Sequence, residues 1–144
     1  MTWLAVDASV AVKWLIPDRD TGAALRWYRS GAVLCAPDLI YAEVGNALWK
    51  LAKLKPGHGI GMEAARRAMK AFSEVPLRVN PSRDLVRQAL DVASLAGVTV
   101  YDALYIVTAI MRDCRLVTAD RRLFEAVGKT GLSRHMAWVG DIPR

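Results

Sequence analysis

Four acidic residues have the types and positions needed for metal-assisted hydrolysis. Asp7, Asp102 and Asp120 adjoin the end of a predicted strand or the start of a predicted helix, and Glu43 lies in a largely apolar helix. Two carboxylates about 4 Å apart repel by about 4 kcal/mol at an effective dielectric constant of about 20, so a cluster of four requires protons or cations. Oxygen ligands suit Mg²⁺ or Mn²⁺. The expected chemistry is phosphodiester hydrolysis by a metal-activated water.

Each acid also has a simpler explanation when it is considered alone. Asp7, Asp102 and Asp120 each precede or open a helix, where an aspartate accepts hydrogen bonds from free backbone N–H groups. Glu43 can be an exposed helical glutamate. The metal-site hypothesis therefore depends on the elements that position the four side chains.

Short apolar strands alternate with helices along the whole chain. Strands are predicted at residues 2–6, 32–36, 77–79, 115–118 and 136–139. Helices are predicted at residues 10–15, 21–28, 39–54, 62–75, 82–95, 101–111 and 120–127, the third of them opened by Pro37-Asp38 and ended at Pro56-Gly57. Without hairpin turns, this alternation indicates an α/β fold with a parallel sheet covered on both faces.

A parallel sheet of this kind brings the four acids to one edge. Each connecting helix runs antiparallel to the strands and therefore begins at their carboxyl ends. Asp7 and Asp120 follow strands there, and Asp102 opens a helix. Glu43 lies about five residues into its helix, roughly 7 to 8 Å along the axis, which a long side chain can span. We expect all four acids to face the crevice where open α/β sheets bind ligands.

Composition limits the class of protein. A chain of 144 residues with 53% apolar residues predicts one domain spanning residues 1–144. No apolar run approaches the roughly 18 to 20 residues that cross a bilayer, and the first residues do not resemble a cleavable signal. We therefore expect a cytoplasmic protein that does not associate with membranes.

The cysteines, histidines and net charge restrict metals and partners. Cys35 and Cys114 are isolated, and neither pairs with His58 or His135 at a zinc-binding spacing. The net charge is +6, from 20 basic and 14 acidic residues. If four acids are taken up by a metal site, the remaining surface is more basic still, which favours a polyanion such as nucleic acid.

Four segments resemble the signature blocks of the PIN domain. They are AVDASVAVKW at residues 5–14, the segment from APD to EVGNAL at residues 36–48, YDALY at residues 101–105, and LVTADRRL at residues 116–123. The resemblance covers nearly the whole chain, and the order and spacing of the blocks make it specific. Within the family, the chain most resembles the VapC toxins of prokaryotic toxin–antitoxin pairs.

The resemblance implies a PIN fold with a five-stranded parallel sheet in the order 3-2-1-4-5 and helices on both faces. It implies a Mg²⁺- or Mn²⁺-dependent endoribonuclease that forms a homodimer and is inhibited by a VapB-type antitoxin. By this resemblance, the residues expected to bind the metal are Asp7, Glu43, Asp102 and Asp120.

Residues near these acids are candidates for supporting roles. Ser9 and Thr118 match positions where the family often has a hydroxyl group, although a helix cap or a strand-end hydrogen bond explains them equally well. Asn46 lies one turn from Glu43 on the same helix face. The candidate contacts to the RNA backbone are Lys13, Arg121 and Arg122.

Other conspicuous residues have structural interpretations. Three tryptophans lie at helical spacing among aliphatic residues and are predicted to be core or dimer contacts: Trp14, Trp27 and Trp49. The glycines of residues 55–61 follow a helix and predict an interhelical turn instead of a phosphate-binding loop. Basic clusters at residues 50–55 and 66–70 are predicted to be solvated helix faces.

Four other functions are compatible with parts of this pattern. A DNA nuclease, or a PIN nuclease of RNA processing outside a toxin–antitoxin pair, needs the same acids, since nothing in the sequence recognises a 2′-hydroxyl. A phospho-acceptor receiver module is disfavoured because the third strand ends at Asn80 and no lysine follows the last strand. A PIN-like scaffold that only binds a partner would show no metal-dependent cleavage.

Overall fold

The structure is a computed structural model that describes residues 1–55 and 57–144. Pro56, at the predicted end of the third helix, lies outside these residues. The described residues on either side of it, 53–55 and 57–60, connect the third and fourth helices where an interhelical turn was predicted. The strands are β1 Trp3–Val6, β2 Val33–Pro37, β3 Arg78–Asn80, β4 Arg115–Thr118 and β5 Met136–Trp138. The helices are α1 Ala8–Leu15, α2 Thr21–Tyr28, α3 Leu39–Ala52, α4 Gly61–Ser73, α5 Ser82–Ala96, α6 Val100–Met111 and α7 Arg121–Gly128, with a 3₁₀ turn at Ser133–His135.

The strands form one parallel sheet in the order β3-β2-β1-β4-β5, as predicted. In the central strand, Ala5 is in register with Cys35 of β2 on one side and with Leu116 of β4 on the other. From β1, the chain adds β2 and β3 on one side of the sheet and then β4 and β5 on the other side. The carboxyl ends of β1 and β4 are therefore the topological switch point.

Burial explains why these segments form central elements. Leu4, Ala5 and Val6 of β1 are all buried, as expected for a strand covered on both faces. In α6, residues 103–109 are all buried, and the helix packs against β1, β2 and β4. Because α6 begins at the carboxyl edge, its first turn lies beside the end of β1.

The observed bounds differ from the predicted ones by a few residues. Helix α1 begins at Ala8 instead of residue 10, because Asp7 caps it and the small Ala8 is already buried. Helix α3 ends at Ala52, and β3 lies one residue later than predicted.

The three tryptophans that were predicted to be core or dimer contacts differ in how deeply they are buried. Trp27 is buried, and Trp14 is half-buried against the ring of Tyr28. Trp49 does not belong to the core, since it is 49% exposed with the ammonium of Lys53 over its ring.

No single helix in the described residues is both long and apolar enough to cross a membrane. Helices α5 and α6 meet that criterion only when they are taken together, across a bend of 109°.

Candidate active site

Asp7 is fixed at the end of β1 by three hydrogen bonds. Its Oδ2 accepts from the Thr118 hydroxyl at 2.6 Å and from the Ser9 hydroxyl at 3.0 Å, and its Oδ1 accepts from the Ser9 backbone N–H at 3.4 Å. The side chain is only 8% exposed. Asp7 therefore caps α1 and also presents a held carboxylate at the switch point.

Burial is the main influence on the Asp7 carboxyl and raises its pKa above the ordinary 3.8. The hydroxyls of Thr118 and Ser9 oppose this by stabilising the anion, whereas the negative charge of Asp102 raises the pKa further. A cation bound beside Asp7 would therefore stabilise its ionised carboxylate.

Glu43 projects from the second turn of α3 toward the same place. Its pKa is raised chiefly by burial and further by the negative charges of Asp7 and Asp102. Its Oε1 is buried and has no hydrogen-bond partner among the described residues. A buried carboxylate oxygen without a donor is unfavourable in a closed protein interior, so this atom has capacity for a further partner, either a hydroxyl donor or a cation.

Asp102 lies in the first turn of α6, and Asp120 is the N-cap of α7. The cap of α6 is Thr99, whose hydroxyl accepts from the Asp102 backbone N–H at 3.1 Å. The Asp102 side chain is therefore not used as that cap. Burial raises the pKa of the Asp102 carboxyl, and the nearby Thr99 hydroxyl lowers it by stabilising the anion. The charge of Asp120 raises it, and that of Arg122 lowers it. Asp120 is exposed and accepts from the Leu123 N–H at 3.2 Å.

The structure thus brings all four acids to the carboxyl edge of the sheet, where the charge of Asp102 acts on Asp7 and Glu43, and that of Asp120 acts on Asp102. We call this group of four acids the acidic crevice. Their donors are all oxygen, and the unpartnered Glu43 Oε1 lies among them, which fits a hard divalent cation such as Mg²⁺ or Mn²⁺. In the described part of the chain, however, no three His, Cys, Asp or Glu side chains are arranged around one ion position. The oxygen donors and the negative charge of the four acids fit a divalent metal. Their side chains would have to shift to coordinate one ion together.

Tyr105 is the residue of this crevice to which sequence reasoning assigned no role. It lies one turn after Asp102 and is 1% exposed. Burial first, and then the negative charge of Glu43, raise its pKa above 10.0. Its hydroxyl is near enough to lower the pKa of Glu43, yet neither group has a hydrogen bond of ordinary geometry in the described residues. A polar tyrosine three residues after an acid, in an otherwise apolar helix, was the available signal.

The predicted supporting residues divide into two groups. Ser9 and Thr118 both contact Asp7, and their hydroxyls also receive the backbone N–H groups of Ala119 and Asp120 at 3.0 Å. Together they join the end of β1 to the start of α7. Asn46 is exposed, and its side chain forms no hydrogen bond with a described residue.

The predicted RNA-contacting residues are also unequal. Arg122 is close enough to Asp102 to lower its pKa. Arg121 stacks on the Trp138 ring with 3.9 Å between its guanidinium carbon and the ring centroid. Lys13 forms ion pairs with Asp18 at 2.6 Å and Asp20 at 3.3 Å. Arg122 is the cation best placed to meet a phosphate at the acids.

The fold agrees with the comparison to known proteins. A family model described as "PIN domain" matches residues 4–129. The chain belongs to the PIN-domain family. Nucleases of this family generally depend on a divalent metal.

Curated relatives within this family include VapC nucleases. The chain is 32% identical to Ribonuclease VapC3 of Pyrobaculum aerophilum over 127 residues, covering 85% of this chain and 92% of the relative. It is 36% identical over 98 residues to Exonuclease VapC9 of the same organism, covering 68% and 70%. The crystal structure of PAE2754 from P. aerophilum superposes with a TM-score of 0.66 at 30% identity, covering 87% of this chain and 79% of that one.

Proposed function

We propose that this chain is a Mg²⁺- or Mn²⁺-dependent endoribonuclease and the toxin of a type II toxin–antitoxin pair. The observation that carries the proposal is the crevice at the PIN-fold switch point, where buried carboxylates raise one another's pKa and Glu43 Oε1 has no partner. The similarity to a VapC ribonuclease over most of both chains supports RNA as the polymer.

Each side chain of the crevice has a distinct part in this proposal. Asp7, Glu43, Asp102 and Asp120 would hold the divalent ion, which would neutralise their charge and supply an activated water for attack on the phosphodiester. Thr118 and Ser9 orient the Asp7 carboxylate by donating to its Oδ2. Arg122, beside Asp102, attracts a substrate phosphate into the crevice.

Cleavage of one RNA and of single-stranded DNA of the same sequence tests the reaction. Wild type is expected to cut RNA with Mg²⁺ or Mn²⁺ and to be inactive in EDTA. Asp7→Asn is expected to lose roughly 100-fold or more of this activity. The matched control is Asp91→Asn, an exposed aspartate on α5, which should cut at the wild-type rate. Undiminished cleavage by folded Asp7→Asn would remove Asp7 from the site, and cleavage of DNA alone would identify a DNA nuclease.

A second candidate is degradation from an RNA end, which is favoured by the relative named as an exonuclease. Circular and linear forms of the same RNA distinguish the two modes. An endonuclease opens the circle, whereas an exonuclease degrades only the linear form.

The toxin assignment is tested in cells. The proposed partner is a VapB-type antitoxin, and the proposed active form is a homodimer in the cytoplasm. Expression of wild type in a related host should arrest growth, whereas Asp7→Asn should not, and an antitoxin encoded beside it should relieve the arrest. Normal growth with active enzyme present would indicate a PIN nuclease of RNA processing.

A further inference from the structure

A cavity of about 690 Å³ lies at the edge of the sheet opposite the acids. We call it the amino-edge cavity. It is lined by the start of β1 at Trp3, the start of β4 at Arg115, the end of α6 at Arg112, and the turn that holds Arg134. Four residues of strand separate Trp3 from Asp7, or roughly 13 Å. The cavity is therefore separate from the acidic crevice.

Positive charge dominates this cavity. Its lining includes four arginines, Arg112, Arg115, Arg134 and Arg144, and one aspartate, Asp113. In residues 1–55 and 57–144, none of these arginines forms a salt bridge. Arginines gathered around a concave surface without carboxylate partners create a positive potential that concentrates anions.

Two of the arginines lie near aromatic rings, and Arg112 is close enough to stack. The Arg112 guanidinium lies 4.1 Å from the Trp3 ring centroid, and that of Arg115 lies 5.7 Å from the Trp27 centroid. Stacking occupies the faces of a guanidinium and leaves its N–H edges available. A stacked arginine is thus preorganised for bidentate hydrogen bonds to a phosphate.

We propose that the amino-edge cavity binds a phosphate of single-stranded RNA away from the bond that is cut. The volume exceeds that of one oxyanion and leaves room for the attached nucleoside. The face of the exposed Arg112 guanidinium that Trp3 does not cover is a surface on which an unpaired base stacks. The choice of RNA as the polymer rests on the proposed function, whereas the phosphate chemistry rests on the arginines themselves.

Binding of a fluorescein-labelled single-stranded RNA, followed by anisotropy in EDTA so that no cleavage occurs, tests the proposal. The double variant Arg112→Gln/Arg134→Gln removes two exposed cavity charges. Its Kd should rise by about tenfold or more, and the slope of log K against log salt should fall by about 1.4. The matched control, Arg66→Gln/Arg67→Gln, removes two exposed arginines that pair with Glu63 on α4. Equal weakening by both double variants would overturn the proposal, because it would show only a general charge effect.

Two further arms identify the ligand and the chemistry. Arg112→Lys keeps the charge but loses the planar fork, so it should weaken binding several-fold; binding equal to wild type would contradict the stacked-arginine site. Binding of inorganic phosphate or AMP without binding of RNA would overturn RNA as the source of the phosphate. Binding is measured without metal, so it is independent of cleavage. RNA binding without cleavage would reject the ribonuclease proposal and keep the cavity proposal. Cleavage without an effect of the cavity variants on binding would reject the cavity proposal alone.

Discussion

At the scale of single residues, the crevice acids lower the stability of the metal-free protein and provide the negative charge that binds a cation. Burial and mutual repulsion raise the pKa values of Asp7, Glu43 and Asp102 in the folded chain. An acid whose pKa is raised on folding favours the folded state below its ordinary value of 3.8 or 4.5 and loses that contribution as the pH rises through the raised value. The metal-free protein is therefore destabilised at neutral pH by the same groups that would bind a cation.

Replacing Glu43 tests this sign. In EDTA, Glu43→Gln should raise Tm at pH 7 by about 2 to 4 °C, because the neutral amide avoids the cost of burying a charge and also the repulsion by Asp7 and Asp102. The difference from wild type should vanish as the pH is lowered to about 4, where the Glu43 carboxyl is protonated anyway. Thermal unfolding between pH 4 and 8 measures it, with the exposed Glu125→Gln as the unchanged control. A lower Tm for Glu43→Gln at pH 7 would contradict the assignment.

At the scale of elements, one hydroxyl group joins two strands and a helix. Thr118 at the end of β4 is fully buried, donates to Asp7 after β1, and accepts the N–H of Asp120 before α7. The Thr118 side chain therefore helps to position both Asp7 and Asp120 at the switch point. Removing it should loosen the site as well as the fold.

Thr118→Val removes this hydroxyl while keeping the shape. It should lower the free energy of unfolding by about 1 to 3 kcal/mol and raise the Mg²⁺ concentration needed for half-maximal cleavage by roughly 10-fold or more. Thr130 provides a matched control, since its hydroxyl also donates once, to the Val127 carbonyl, and accepts once, from the Leu132 N–H. It lies beyond the end of α7 opposite to the end that Asp120 caps. Thr130→Val should lose stability without changing the Mg²⁺ dependence. A shift of equal size in both variants would show that the effect is one of stability alone.

At the scale of the whole molecule, charge is distributed unevenly between the two edges of the sheet. Four acids converge at the carboxyl edge, and four arginines line the amino-edge cavity. A chain with 20 basic and 14 acidic residues thus presents a local negative crevice within a positive surface. A divalent cation should relieve the repulsion in the crevice and stabilise the entire fold by mass action.

Titration with MgCl₂ tests this linkage without any substrate. At a concentration about 100 times Kd, Mg²⁺ should raise the Tm of wild type by about 5 to 10 °C relative to NaCl of equal ionic strength. Asp7→Asn should lose most of this increase, and Asp91→Asn should keep it. Equal Tm values in MgCl₂ and NaCl would show that the described chain holds no Mg²⁺ at this edge.

The sequence alone determined the alternation of strands and helices and the common edge of the four acids, because periodicity encodes burial and a parallel topology places strand ends and helix starts together. Tertiary structure decided which neighbours each side chain meets. Lys13 pairs with aspartates, Arg122 approaches Asp102, and Tyr105 faces Glu43. The amino-edge cavity joins Trp3 to arginines more than 100 positions away. Such contacts depend on packing between distant segments, which no local pattern specifies.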